Sequence, residues 1–419
     1  MDEALFDLLD LIAESPLESL CYALAIVSCL YTLLSIFSLR RFARVESRID
    51  LANARRDMAR TPGVTLLKPL YGAEQGLFDH LTTFCRQDYA GPVQILFGVH
   101  DAEDPAAAVA RKIVNALRAG AIEGAPAGMT AELVVDSSRH GANGKVSNLI
   151  NLSRRIEHDI VVLADSDIIV APDYLTRLTT ALARPGVGLV TSLYRGVPKA
   201  GLWSNLGAMW VDYGFLPNVV TGVALKMANP CIGATIGLRR ATLEAIGGFR
   251  AIKDQLADDY AIGEAVRGLG LKVALVDFAV GHAHGETDFR DLWRREMRWA
   301  RTIRSLDPLG YIGLVVTFPL AWSLLALPVG DFDPAGVILT LAALLCRLTL
   351  QDEVDQRFAG VAHPLYLSPV RDLLSFAVFV VSFIPGQVHW RGRAFAMGEN
   401  GVMAPVGGAD EETEAELAG

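Results

Sequence analysis

From about residue 61 to residue 305, short apolar runs rich in β-branched residues alternate with stretches whose apolar positions recur every three or four residues. That alternation predicts an α/β domain with a mostly parallel sheet covered by helices. Strands are expected at Val64 to Lys68, Val93 to Val99, Ala131 to Val135, Ile160 to Ala164, Val187 to Thr191 and Thr235 to Leu238. Helices are expected at Glu74 to Arg86, Pro105 to Leu117, Pro172 to Leu182 and Asp259 to Arg267. Outside the interval the apolar positions run together. Ser19 to Leu39 carries no charge, and a run of roughly 20 residues matches a hydrocarbon core spanned by a helix. Tyr311 to Val329 is also uncharged, Pro334 to Leu350 is broken only by Arg347, and Leu373 to Val388 is apolar but short. The first of these three is expected to span with least strain; the other two suit a span, an interfacial helix or a re-entrant segment.

Charge sets the sidedness. The residues before the first apolar run are acidic, with no basic segment of the kind that opens a signal peptide, so the run reads as an anchor. Arg40, Arg41 and Arg44 follow it, which predicts an external N-terminus and a cytoplasmic domain. If all three later segments crossed, the basic stretch from His389 to Arg393 would end outside, so one of them is expected not to cross fully. The chain thus divides into an N-terminal anchor (1–45), a cytoplasmic domain (61–305), C-terminal membrane helices (306–395) and an acidic, flexible tail (396–419).

Composition narrows the chemistry. Hydrophobic residues make up 52% of the chain and charged residues 20%, which fits a soluble domain joined to membrane segments. The net charge of −9 and the lack of a long basic run exclude a nucleic-acid partner. The five cysteines form no C-x-x-C pair and read as thiols of a reducing compartment.

In open α/β sheets ligands bind beyond the carboxyl ends of the strands. There His100 and Asp101 follow one apolar run, and Asp165-Ser166-Asp167 follows another. With a strand period of two, Asp165 and Asp167 can face one side, where a divalent cation, Mg²⁺ or Mn²⁺, would relieve their repulsion and bridge to nucleotide phosphates. The same pair equally suits a turn at a strand end. Asp258 and Asp259 open a helical stretch, where one serves as a helix cap and the other is left to accept a proton from an attacking hydroxyl. Arg295 and Arg298 lie one helical turn apart and can neutralise a departing diphosphate, although Arg and Trp beside an apolar segment also serve as interfacial anchors. His282 and His284 read as ordinary loop or core histidines.

Taken in order, Leu67-Lys68-Pro69-Leu70-Tyr71-Gly72, Val99-His100-Asp101, Gly144-Lys145-Val146-Ser147-Asn148-Leu149, Asp165-Ser166-Asp167, Ala257-Asp258-Asp259-Tyr260 and Arg295-x-x-Arg298-Trp299 resemble the ceramide glucosyltransferase family of inverting GT-A glycosyltransferases, including its bacterial branch associated with hopanoid glycosylation. The resemblance runs from Thr65 to Arg393. It implies a Rossmann-like GT-A domain facing the cytoplasm of a bacterial inner membrane, with a UDP-sugar donor and a lipid acceptor. It places Asp101 near the uridine, Asp165 and Asp167 on the metal and diphosphate, and Asp259 as the base. Arg295, Arg298 and Trp299 match the (Q/R)-x-x-R-W motif beside the diphosphate and the lipid entrance. Lys68 and Lys145 are further candidates for the diphosphate, against the commoner reading of a solvated loop lysine. Leu216-Pro217 stands where vertebrate members carry a histidine before the proline. The acceptor expected is ceramide, with glucose or a related hexose transferred; the alternative is a hopanoid receiving N-acetylglucosamine. A polysaccharide synthase and a non-catalytic membrane scaffold are the remaining rivals.

Overall fold

Leu66 and Leu67 are neighbours in sequence and belong to different cores. The computed structural model describes residues 15–46, 61–358, 360–384, 388–390, 393–397 and 403–405; the acidic flank up to Glu14 and the acidic tail from Asp410 lie outside the described residues. In β1 (Val64–Pro69) every position is buried, with Leu66 packing in one core with Ile95, Phe97 and Val162, and Leu67 in the other with Leu96, Val161 and Leu163. Side chains of a strand alternate faces, so a strand covered on both sides favours apolar residues at successive positions; β1 supplies Val64, Leu66 and Leu67, and buries Thr65 and Lys68 with polar partners.

The remaining strands of the main sheet are β2 (Val93–Val99), β3 (Thr130–Val135), β4 (Ile160–Leu163), β5 (Ile168–Ile169), β6 (Val187–Pro198), β7 (Ile236–Arg239) and β8 (Lys272–His284). Their spatial order is β3-β2-β1-β4-β7-β6-β8-β5. Pairing is parallel from β3 through β4 and between β6 and β8, while β7 runs antiparallel to both β4 and β6, and β5 antiparallel to β8. β8 falls outside the expected strands. It lies parallel to β6 with two register shifts, and its far end carries His282 and His284.

The main helices are α1 (Pro16–Glu46), α2 (Leu77–Cys85), α3 (Pro105–Arg118), α4 (Gly144–Ser153), α5 (Tyr174–Leu182), α6 (Gly201–Trp210), α7 (Leu216–Ala224), α8 (Asp258–Gly268), α9 (Phe289–Leu306), α10 (Pro319–Val329), α11 (Pro334–Arg357) and α12 (Ser368–Ser382), and a π-helical turn at Val211–Phe215 joins α6 to α7. α2, α3 and α5 cover the Leu66 face, and α4 and α8 the Leu67 face.

Among the described residues, three helices are long and apolar enough to cross a membrane: Pro16–Phe42, Pro334–Arg357 and Leu365–Ser382. The segment expected to span with least strain is broken instead. Pro308–Thr317 and Pro319–Val329 meet at a bend of 63°. Phe318 has φ −117° and ψ 62°, as expected for a residue that proline excludes from the helical region. The last apolar helix begins earlier than the uncharged run and ends at Ser382; Val388 already belongs to β9 (Val388–Trp390), which pairs antiparallel with β10 (Arg393–Met397), itself paired with β11 (Met403–Pro405). α7 binds α1 directly: Tyr31 donates to Asn218 Oδ1 at 3.0 Å, and Thr221 donates to Ser35 Oγ at 3.0 Å.

Candidate functional site

The acidic residues meet along one rim, where β4 ends and α4 and α8 begin. After β4 the chain turns through Asp165-Ser166-Asp167 into β5, with the Ile168 N–H donating to the Asp165 carbonyl at 3.4 Å. The pair is therefore both a turn and a site of two carboxylates, each drawn to its own partner. Asp165 Oδ1 lies 2.8 Å from Lys145 Nζ, and Asp167 Oδ2 lies 3.1 Å from His282 Nε2. Asp167 Oδ1 is buried and lacks a hydrogen-bond partner among the described residues. Burial would raise the Asp167 pKa, but His282, Arg295 and Lys68 hold it below the usual carboxylate range.

Lys145 is presented by the start of α4, where the Asn143 side chain accepts from the Lys145 and Val146 N–H groups and so caps the helix. It is not a solvated loop lysine. Nζ also lies 3.1 Å from Asp258 Oδ2; burial would depress its pKa, yet Asp165 and Asp258 keep it above the ordinary value. Lys68, at the end of β1, is fully buried; its Nζ donates to the Asp165 carbonyl at 2.6 Å and sits 3.7 Å from the centre of the Phe84 ring. Burial lowers its pKa to about 7 against the pull of Asp165 and Asp167. Lys68 thus holds the backbone of the acidic turn from beneath.

Neither aspartate of the 258–259 pair is the helix cap. That position is Ala257, with both aspartates on the first turn of α8. Asp258 pairs with Lys145, while Asp259 accepts from the Gly233 N–H through Oδ2 and the Tyr260 N–H through Oδ1, each at 2.8 Å. Burial, then the charge of Asp258, raises the Asp259 pKa to about 6, with Lys145 pulling the other way. A carboxylate with that pKa is ionised at neutral pH and still basic enough to take a proton. Asp101 stands further along the rim, exposed at the end of β2, where its carboxylate accepts from the Glu103 N–H at 2.9 Å.

From β8 a chain of polar contacts runs from the acidic turn to the arginine helix. His282 Nδ1 lies 2.9 Å from His284 Nε2, His284 Nδ1 lies 3.2 Å from Glu286 Oε1, and Arg295 Nη1 donates to Glu286 Oε1 at 2.5 Å. Burial keeps His284 neutral by lowering its pKa to about 4. His282 and His284, expected as ordinary loop or core histidines, are buried, and they link the acidic turn to Glu286. The signal was present in the period-two spacing of His282, His284 and Glu286 behind an apolar run, which sets all three on one face of an extended chain.

α9 carries Arg295, Arg298 and Trp299. The guanidinium of Arg295 sits 5.6 Å from the Trp299 ring centre, and Trp299 stacks on Trp210 at 4.9 Å and lies 6.0 Å from His282. Arg298 follows Arg295 by one turn and is half-buried. Tyr194, from β6, stacks on Phe215 at 4.7 Å and lies 5.1 Å from His282. Tyr194, Phe215, Trp210 and Trp299 thus form an aromatic wall between the acidic rim and the α6–α7 segment that binds α1.

The donor set suits a hard divalent cation. Asp165 and Asp167 offer carboxylate oxygens, of which Asp167 Oδ1 is unpartnered among the described residues. No group of three or more His, Cys, Asp and Glu side chains forms a closed metal cage among the described residues. An ion of this kind would complete its shell with phosphate oxygens and water.

A family model described as glycosyl transferase family 21 matches residues 20–403. Ceramide glucosyltransferase 1 of Caenorhabditis elegans is 22% identical over 248 residues, which cover 59% of this chain and 51% of that protein. The match to this relative thus spans about half its length. Ceramide glucosyltransferase 3 of the same organism is 21% identical over 391 residues, 90% of this chain and 81% of that one. Among solved structures, a mannosyltransferase from Pyrobaculum calidifontis in complex with GDP-Man and Mn²⁺ superposes with a TM-score of 0.50 at 20% identity, covering 88% of this chain and 99% of its own. That likeness establishes a GT-A-like fold.

Proposed function

The chain belongs to glycosyl transferase family 21, and from that premise we propose that it transfers a hexose, glucose or a relative, from a UDP-sugar to the hydroxyl of a lipid, ceramide, with inversion at the anomeric carbon. The observation that carries the reading is the aromatic wall. It joins the arginine helix and the acidic rim to a segment packed on α1, so a charged donor and an apolar acceptor can meet at one place. Residues 61–305 form the catalytic domain, on the cytoplasmic face that the Arg40, Arg41 and Arg44 cluster favours.

In this reaction Asp259 takes the proton from the acceptor hydroxyl, whose oxygen then forms the new bond to the anomeric carbon. The bond from that carbon to the diphosphate breaks and UDP leaves. Arg295 and Arg298 neutralise the charge that grows on the leaving group. Asp165 and Asp167 would hold a divalent ion, which when bound supplies further charge neutralisation at the diphosphate. Lys68 and Lys145 fix the acidic turn from below and from the side. Asp101 is assigned to the uridine end.

The direct test incubates the purified protein with UDP-glucose, UDP-glucuronic acid and UDP-N-acetylglucosamine and a bacterial lipid extract, followed by mass spectrometry. One new glycolipid carrying a single hexose is expected. Polymeric product, or no transfer to lipid from any donor, would overturn the reading. A second expectation concerns pH. With the Asp259 pKa near 6, kcat/KM rises with pH through about 6 and falls roughly tenfold per unit below it, because the proton acceptor must be ionised. Asp258→Asn removes the neighbouring charge that raises this pKa, so the acidic limb should move to lower pH. An acidic limb at the same pH in the variant would contradict the assignment.

A further inference from the structure

His80 is the buried titratable group that this mechanism leaves unused. It lies on the first turns of α2 with only 2% of its surface exposed, and neither ring nitrogen has a hydrogen-bond partner among the described residues. A buried imidazole without partners costs free energy unless a ligand completes it. The ring is held in place by Gly76, whose φ of +82° suits glycine and where a Cβ would come within 3.0 Å of Nε2. It lines a cavity of about 280 Å³ together with Glu74, Lys199, Glu286, Asp291 and Arg295.

The cavity's charges select its occupant. Glu286 Oε1 is taken up by Arg295 at 2.5 Å while its buried Oε2 lacks a hydrogen-bond partner among the described residues, so that oxygen and His80 lie within and the exposed Glu74 and Lys199 at the mouth. A phosphate would meet three carboxylates, and an acyl chain would leave the imidazole unsatisfied. A ring bearing several hydroxyls satisfies all of them, since each hydroxyl both donates and accepts and a neutral imidazole offers one group of each kind. The volume, small beside the roughly 300–1,000 Å³ usual for ligand pockets, suits one ring and not a nucleotide. Position agrees. The rim runs from β2 through β4 to β6 and β8; with the uridine at the end of β2 and the diphosphate after β4, the third part of the donor reaches the ends of β6 and β8, where this cavity opens.

We propose that this cavity holds the hexosyl ring of the donor, with His80 and Lys199 hydrogen-bonding its hydroxyls. The inference rests on the UDP-sugar reading above. Burial, then the charge of Lys199, lowers the His80 pKa, which keeps the ring neutral at physiological pH.

The test is calorimetric binding of UDP-glucose, UDP-N-acetylglucosamine and UDP to the full-length detergent-solubilised protein with Mg²⁺ present. His80→Phe should weaken the sugar nucleotide that the wild type prefers about tenfold and leave UDP unchanged. His80→Gln, which keeps a donor and an acceptor, should restore most of the loss. Lys199→Met, at an exposed position, should also weaken the UDP-sugar and spare UDP. Equal weakening of UDP and UDP-sugar, or no change in the folded variants, overturns the proposal. Wild-type protein that binds none of the three overturns the donor assignment itself and the proposal with it.

Discussion

Asp259→Asn protein is expected to fold, to bind the donor, and to turn over about 10²- to 10⁴-fold more slowly, the range by which a positioned general base accelerates a reaction. The substitution is conservative in shape but not neutral locally. Asp259 accepts two backbone N–H groups, one on each oxygen, and an asparagine can accept only with its single carbonyl oxygen. One N–H loses its partner, at a cost of about 1–3 kcal/mol. That is a tolerable loss for a domain with two cores, so a large fall in kcat with UDP binding retained separates loss of the base from loss of the fold. The checks are kcat and KM for the lipid product, UDP binding by calorimetry, and a thermal melt. A folded variant that keeps turnover within tenfold of wild type would remove Asp259 from the role.

The acidic pair that opens α8 was legible because its signal is local: two adjacent aspartates ahead of an amphipathic run. The same holds for Asp165 and Asp167, which follow the wholly apolar strand β4, and for β1, β2 and β4, whose predominantly apolar runs mark strands buried on both faces. What escaped depends on contacts between distant segments. β8 is half-buried along much of its length and contains Asp277 and Gly281, so its pattern resembles neither an alternating nor a buried strand. Its pairing with β6 and β5 defines it. The contacts of His282, His284 and Glu286 were lost with it. Lys68 gives no hint in the sequence of being fully buried, because its partner is a backbone carbonyl 97 positions away. The break at Phe318 was foreshadowed by Pro319, which an uncharged run of that length concealed.

The same dependence on distant contacts governs how the arginine helix is held. Glu296 lies between Arg295 and Arg298 on α9, buried, and accepts a forked pair of hydrogen bonds from Arg371 on α12 at 2.6 and 2.8 Å. Arg371 also donates to the Leu206 carbonyl of α6 at 3.1 Å. One apolar helix therefore grips both the helix that carries Arg295 and Arg298 and the segment that carries Trp210 and Phe215 of the aromatic wall.

Arg371→Met should leave Glu296 buried and without its charge partner, and breaking such a pair from one side costs about 3–5 kcal/mol. The loss is expected as a lower melting temperature of the purified protein in detergent, together with a fall in kcat as α9 loses its register against the acidic turn. Arg371→Met combined with Glu296→Met removes both charges, and replacing a buried pair by apolar side chains of similar size is often neutral or better. The double variant should therefore melt near the wild type. Its kcat should stay depressed, because Met–Met packing lacks the directional fork that sets the rotation of α9. A single variant within about 1 kcal/mol of wild type would mean that water reaches Glu296, and the clamp would then have to be sought in the apolar contacts of Met297 and Ala300 with Val378 and Phe379.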